Sequence, residues 1–224
     1  MAATPTVAVF DLDGTITFGD TFVAYLRGFI ARHWRRAPRS AQLIWDVVIF
    51  YLDRIDNTEL KRRFLACVLQ GISRPEVDAW TRSFVEQYLA HALKPEACRK
   101  IEHHRRAGHF LILVSASLDI YVEAIGARLG FDRVIATRVA WDPQWVLTGD
   151  IPGPNLHGRA KVEALESVLA AEFPLRPWIV AYADHHADLP LLLYANEGVA
   201  VDPTSILKTA ADYHHLRLEN WQHR

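Results

Sequence analysis

The stretch that most restricts how this chain can fold is residues 6–15, TVAVFDLDGT, where an apolar run ends on two acids and a Gly-Thr turn. The run reads as a short buried strand. Residues two apart on a strand point to the same side, so Asp11 and Asp13 emerge together. Neighbouring carboxylates repel unless a cation or a proton settles them. The opening strand therefore demands positive charge from elsewhere in the chain.

Strands and helices alternate after Lys94-Pro95. The pattern predicts a helix over 95–106, a strand over 110–116, a helix over 118–129 and a strand over 133–137. A hairpin turning at Asp142-Pro143 follows, then a helix over 158–171, a strand over 178–184, a short helix over 187–194 and the strand GVAVD. Between Asp20 and Leu93 only helices are predicted. Phe22, Leu26, Phe29 and Ile30 recur at helical spacing, Ser40 and Asn57 stand at cap positions, and SRPE at 73–76 forms a capping box with Pro75 in the first turn. Alternating apolar strands and helices imply a parallel sheet covered on both faces. The expected fold is α/β, a doubly wound parallel sheet with a helical cap inserted after the first strand. Its core is residues 1–18 and 95–224, and its cap is residues 19–94.

A net charge of −1 supplies no basic field for nucleic acid. Cys67 and Cys98 lie far apart without CxxC spacing, so a disulfide framework and a zinc site are disfavoured and a reducing, cytoplasmic setting is expected. The N-terminus has no basic start and no apolar signal core. The apolar stretch at 43–52, LIWDVVIFYL, is too short to span a bilayer and carries Asp46. It reads as a buried helix. A helix on a membrane surface is the alternative, since Trp45, Phe50 and Tyr51 sit near Arg35, Arg36 and Arg39.

In doubly wound sheets, ligands bind at the carboxyl ends of the strands. Three strands here end in chemistry: the first in Asp11 and Asp13, the second in Ser115, and a later one in Asp184, with Asp188 four residues on. Lys161 opens a helix between them. A hard divalent cation with oxygen ligands relieves such a concentration of acids, and Mg²⁺ takes few carboxylates while keeping waters. A lone DxD would read as a loop cap. The recurrence of acids at another strand end favours the metal.

These residues resemble the haloacid dehalogenase superfamily of phosphatases. DLDGT is similar to its first motif, LVSAS to the second, Lys161 in HGRAKVEAL to the third and ADHHADLPLL to the fourth, in the family's order over residues 7–193. The helical insert and TGDIPGPNLHGRAK resemble the phosphoserine phosphatase-like branch. The resemblance implies a Mg²⁺-dependent phosphatase acting on a small phosphorylated metabolite through an aspartyl-phosphate. In this scheme Asp11 is the nucleophile, and Asp13 protonates the leaving oxygen and then deprotonates water. Ser115 and the Ala116 backbone N–H bind phosphoryl oxygens, and Lys161 neutralises charge. The metal is held by Asp11, the Asp13 carbonyl and Asp184, with Asp188 supporting it or its water.

The fourth motif departs from the family pattern at Ala183, usually Gly, at His185, usually small, and at Ala187. No carboxylate is lost, so activity is expected, but identity with phosphoserine phosphatase is in doubt. Asp20 stands near a substrate-amine contact of that branch, and Arg63 near its carboxylate-binding arginine, with Lys61 or Arg62 able to replace it. A helix-terminal acid and a solvated helix face are the plain readings of Asp20 and the basic trio. Residues 20–94 carry 12 Lys/Arg against 8 Asp/Glu, and the remainder 13 against 18, which fits a basic lid closing on an anionic substrate. His103 and His104 read as solvent-facing, and His185-His186 as loop residues. Phosphoserine and histidinol phosphate are the candidate substrates. A lipid-headgroup phosphatase, of the phosphatidylglycerophosphatase kind, and a non-catalytic binding protein are the alternatives.

Overall fold

Strand β1 (Thr6–Phe10) is buried at four of its five positions, because it is paired on both edges and covered on both faces. The computed structural model describes residues 4–33, 42–52 and 54–222. Within them six parallel strands form one sheet in the order β3-β2-β1-β4-β5-β6. The other strands are β2 (Phe110–Leu118), β3 (Arg133–Thr137), β4 (Trp178–Ala183), β5 (Glu197–Val201) and β6 (Arg217–Glu219). The chain steps outward from β1 through β2 to β3, then returns to β4 on the other side of β1. That reversal leaves a crevice at the carboxyl end of β1.

Period-two alternation divides the core. Ala8 and Phe10 pack into one cluster with α1 (Thr21–Arg32), α3 (Asn57–Val68), α4 (Arg74–Ala92), α5 (Pro95–Arg106) and α6 (Asp119–Leu129). Val7 and Val9 pack into the other with α7 (Arg159–Glu172), α8 (Leu189–Tyr194) and α9 (Ser205–His214). The α/β sheet with helices on both faces is as the pattern implied. The helices between β1 and β2, which include α2 (Gln42–Tyr51), share the first cluster through packed aromatic rings. Tyr25 lies 4.5 Å from Tyr121 and 5.0 Å from Phe84, centroid to centroid. Their two connections to the sheet lie side by side, with the Phe18 N–H donating to the Ala92 carbonyl (2.8 Å) and the Lys94 N–H to the Ile16 carbonyl (2.9 Å). The Lys94 ammonium is buried against Asp202 (2.8 Å) and the Gly14 carbonyl.

Several local expectations need correction. Asp56, rather than Asn57, caps α3, its carboxylate accepting from the Glu59 N–H at 2.7 Å. Ser73 stands at the start of α4 without a side-chain cap bond. Ser40 and the arginines at 35, 36 and 39 lie outside the described residues. The hairpin at Asp142 closes through one bridge, Trp141 to Leu147, and the residue before Leu147, Val146, bridges to Ser73 beside α4. His104 is buried: its Nε2 lies 2.9 Å from the Tyr182 hydroxyl, and its ring meets Phe10 edge-on. β6 carries no pattern long enough to announce it, being three residues on a sheet edge. Among the described residues no helix is long and apolar enough to cross a membrane.

Candidate active site

The ladder of β1 runs one residue past the strand, where the Asp11 N–H donates to the Tyr182 carbonyl at 2.9 Å. That bond holds the Asp11 backbone against β4, whose own end delivers Asp184. The chain then turns at Gly14, with φ +77°, where a Cβ would lie 2.2 Å from Asp184 Oδ2. Only glycine permits both the left-handed backbone and the approach of that carboxylate. Gly14→Ala is therefore expected to destabilise the protein by about 1–3 kcal/mol in urea unfolding and to displace Asp184; an unchanged midpoint would refute this.

Asp11, Asp184 and Asp188 are linked here through shared partners, and Asp13 lines the same cavity. Lys161 Nζ, buried, lies 2.6 Å from Asp11 Oδ1 and 2.7 Å from Asp188 Oδ1. The Thr15 hydroxyl is within donating reach of both Asp11 Oδ2 (3.2 Å) and Asp184 Oδ1 (3.3 Å). One hydroxyl thus marks Asp11 and Asp184 as neighbours across 173 positions of sequence. Burial pushes the Asp11 carboxyl well above the usual range; Lys161 opposes the shift, and Asp188, Asp184 and Asp13 add to it. Asp184 is pushed up to about 6, first by burial and then by Asp188. Lys161 is held strongly protonated by Asp11 and Asp188 against the cost of its own burial.

Asp13 points elsewhere. Its Oδ1 accepts from the Thr21 N–H (2.6 Å), the first turn of α1, and its Oδ2 from the Ser117 hydroxyl (2.6 Å). Burial raises its carboxyl, Asp20 adds to that, and these two hydrogen bonds restrain it. A carboxyl that gains protons readily yet is fixed in direction suits proton transfer. Asp20 caps α1 by accepting from the Val23 N–H at 2.9 Å, which is its plain reading, and it also lines the cavity above the acids.

β2 was expected to stop at 116 but continues to Leu118, with a register slip against β3 between Ser115 and Leu118. The Ser115 hydroxyl is turned inward and accepts from the Ser117 N–H at 3.0 Å, while Ala116 and Ser117 face the cavity. Ser117, two positions beyond the serine the motif singles out, escaped sequence reasoning, as did Thr15. Both lay inside the quoted motifs.

Arg63 also needs correction. Its Nε donates to Glu59 on the same helix at 2.9 Å, and it is Lys61 that lines the cavity. Lys61 Nζ donates to the Ala116 carbonyl (2.5 Å) and to Asn155 Oδ1 (2.6 Å), tying α3 to the sheet edge. Burial lowers its ammonium to about 8, with Asp13 and Asp20 opposing. Asn155, buried behind Lys61, and His157, which lines the cavity, stand in the loop before Lys161 and had no signal beyond their place in it. His185 caps the short turn at His186–Asp188, accepting from the Ala187 N–H at 3.2 Å, and lines the cavity too.

The cavity holds about 580 Å³ and is walled by the acids below and α1, α2 and α3 above. Among the described residues no group of three His, Cys, Asp or Glu side chains is placed to hold a metal ion. The buried Asp11 and the half-buried Asp184, which share the Thr15 hydroxyl, form a two-carboxylate donor set that matches an ion that binds few protein oxygens and keeps open positions. Asp188, like Asp11, is engaged by Lys161.

The profile of the haloacid dehalogenase-like hydrolase family matches residues 8–193. Protein CicA of Caulobacter vibrioides is 28% identical over 201 residues, covering 88% of this chain and 86% of its own length. Phosphoserine phosphatase SerB1 of Mycobacterium tuberculosis is 26% identical, covering 91% of this chain and 67% of its own. Among solved structures, a protein of unknown function from Bordetella pertussis Tohama I superposes with a TM-score of 0.84 at 23% identity, over 96% of this chain and 98% of that one.

Proposed function

Because the chain belongs to the haloacid dehalogenase-like hydrolases, we propose that it is a Mg²⁺-dependent phosphatase that releases inorganic phosphate from a phosphomonoester through an aspartyl-phosphate on Asp11. The observation that carries this reading is the division of labour between two acids of one turn. Asp11 is held by Lys161 at 2.6 Å, and Asp13 by Thr21 and Ser117. A binding protein would have no use for the second, proton-carrying acid.

In the first step an Asp11 carboxylate oxygen bonds to phosphorus and the bond from phosphorus to the alcohol oxygen breaks. Asp13 gives that oxygen its proton, and the alcohol leaves. In the second step water attacks phosphorus, its proton passes to Asp13, the acyl-phosphate bond breaks and Asp11 is regenerated. Lys161 balances charge on Asp11 and the phosphoryl oxygens, and the Ala116 backbone N–H is the donor assigned to receive one of them, the Ser117 N–H being held by the Ser115 hydroxyl. Asp11, Asp184 and the Asp13 carbonyl would hold Mg²⁺, which when bound neutralises phosphoryl charge. Residues 19–94 act in this reading as the lid, and residues 1–18 and 95–224 as the core. Cys67 and Cys98, far apart in sequence and without CxxC spacing, accord with a reducing, cytoplasmic setting.

Release of phosphate from p-nitrophenyl phosphate with Mg²⁺, and its loss on chelation, tests the proposal; no release in a metal screen would sink it. A thermal-shift series adds an independent check. Asp11, Asp13 and Asp184 bind protons more tightly in the folded chain than in the unfolded one. Metal-free stability from these groups is thus present at low pH and is lost as pH rises, for Asp184 between the ordinary carboxyl range and about 6. Mg²⁺ must displace those protons at low pH, so its rise in Tm is expected to be larger at pH 7.5 than at pH 5. An equal or reversed effect would overturn the metal assignment.

A further inference from the structure

The wall facing the acids is apolar. Phe22 and Val23 from α1, Val47 and Phe50 from α2, and Leu60 and Phe64 from α3 line the cavity. Val23 is 54% exposed although it sits over a buried charged floor. Phe50, from the apolar stretch at 43–52, lines this cavity too.

The polar groups on the same side are committed within the protein. Asp20 caps α1. Asn57 Oδ1 accepts from Asn155 at 3.3 Å. Lys61 is bound by two neutral oxygens, and Arg63 is turned to Glu59. An amino acid leaving group would bring a charged amine and a charged carboxylate against this wall. Each would lose water against this wall and would have to compete with those internal contacts for Asp20 or Lys61, which is costly. A carbon skeleton would lose water at a gain.

Resting on the phosphatase reading above, we infer that the natural substrate is a phosphomonoester of a hydrophobic alcohol, alkyl or aryl, whose carbon skeleton packs against Phe22, Phe50 and Phe64. Its phosphoryl group lies over Asp11, and the apolar wall selects the leaving group. Phosphoserine and histidinol phosphate, both of which carry a charged amine, are then poor substrates.

The test is a chain-length series, ethyl, butyl, hexyl and octyl phosphate, beside phosphoserine and p-nitrophenyl phosphate. The kcat/KM is expected to rise by about threefold to fourfold per methylene until the cavity is filled, with octyl phosphate exceeding phosphoserine by at least about 100-fold. Phe64→Asn and Phe50→Asn are expected to flatten that rise. A flat or falling series, or a preference for phosphoserine, overturns the inference and leaves the phosphatase reading standing. Phosphate from none of the compounds removes the phosphatase reading. Calorimetric titration with the same series then decides the inference by itself, through a Kd that falls with chain length or does not. Vesicles of phosphatidylcholine containing phosphatidic acid distinguish the source. Release from them assigns the skeleton to a lipid, and release from octyl phosphate alone assigns it to a dissolved metabolite; either supports the hydrophobic class.

Discussion

Asp11→Asn is expected to lower kcat by about 10⁴-fold or more while leaving the protein folded. The amide offers no anionic oxygen to attack phosphorus, so the first bond never forms. Stability should survive because the native carboxylate is itself a burden: it is buried and raised in proton affinity by burial, with Asp188, Asp184 and Asp13 adding to the cost. Lys161 would keep its second partner, Asp188, at 2.7 Å. Phosphate release followed in parallel with circular dichroism checks both halves. Residual turnover within tenfold of wild type, in a folded variant, would remove Asp11 from its role.

Lys161→Met should damage both turnover and stability. The ammonium joins two carboxylates from separate elements, Asp11 after β1 and Asp188 at the start of α8. Breaking a buried pair by removing one member leaves the other charged and unpaired, a loss of about 3–5 kcal/mol. At neutral pH two carboxylates would be stranded together. Their remedy is protonation, so the deficit in urea unfolding should be largest near pH 7.5 and shrink towards pH 5. A variant that unfolds at the wild-type midpoint at pH 7.5 would show that the lysine carries no structural load.

The contrast between Lys61 and Arg63 shows where legibility ends. Both stand in ELKRRF, and either satisfied the expectation of a cation over the site. Two positions on a helix differ by about 200° of rotation, so only one of them can face the cavity. Which one does so depends on how α3 docks, and that is set by its buried Leu65 and Val68 as well as Lys61. Ser115 and Ser117 pose the same question on a strand. Strict alternation would point both the same way, but the register slip at the end of β2 turns one inward and leaves the other on the cavity wall. His104 was read as exposed from its basic neighbours, yet its face of α5 packs on Phe10 and Tyr182.

By itself the sequence determined five of the sheet's six strands and which strand ends carry its acids. Apolar runs, turn residues and strand-end carboxylates are local signals whose period and order survive any packing. It could not determine which side chains of the inserted helices meet those acids, or that the surface they present is mostly carbon. Helix rotation, strand slip and the commitment of Asp20, Asn57 and Lys61 to internal partners are settled only when distant segments compete for the same contacts. That competition is a property of the folded chain.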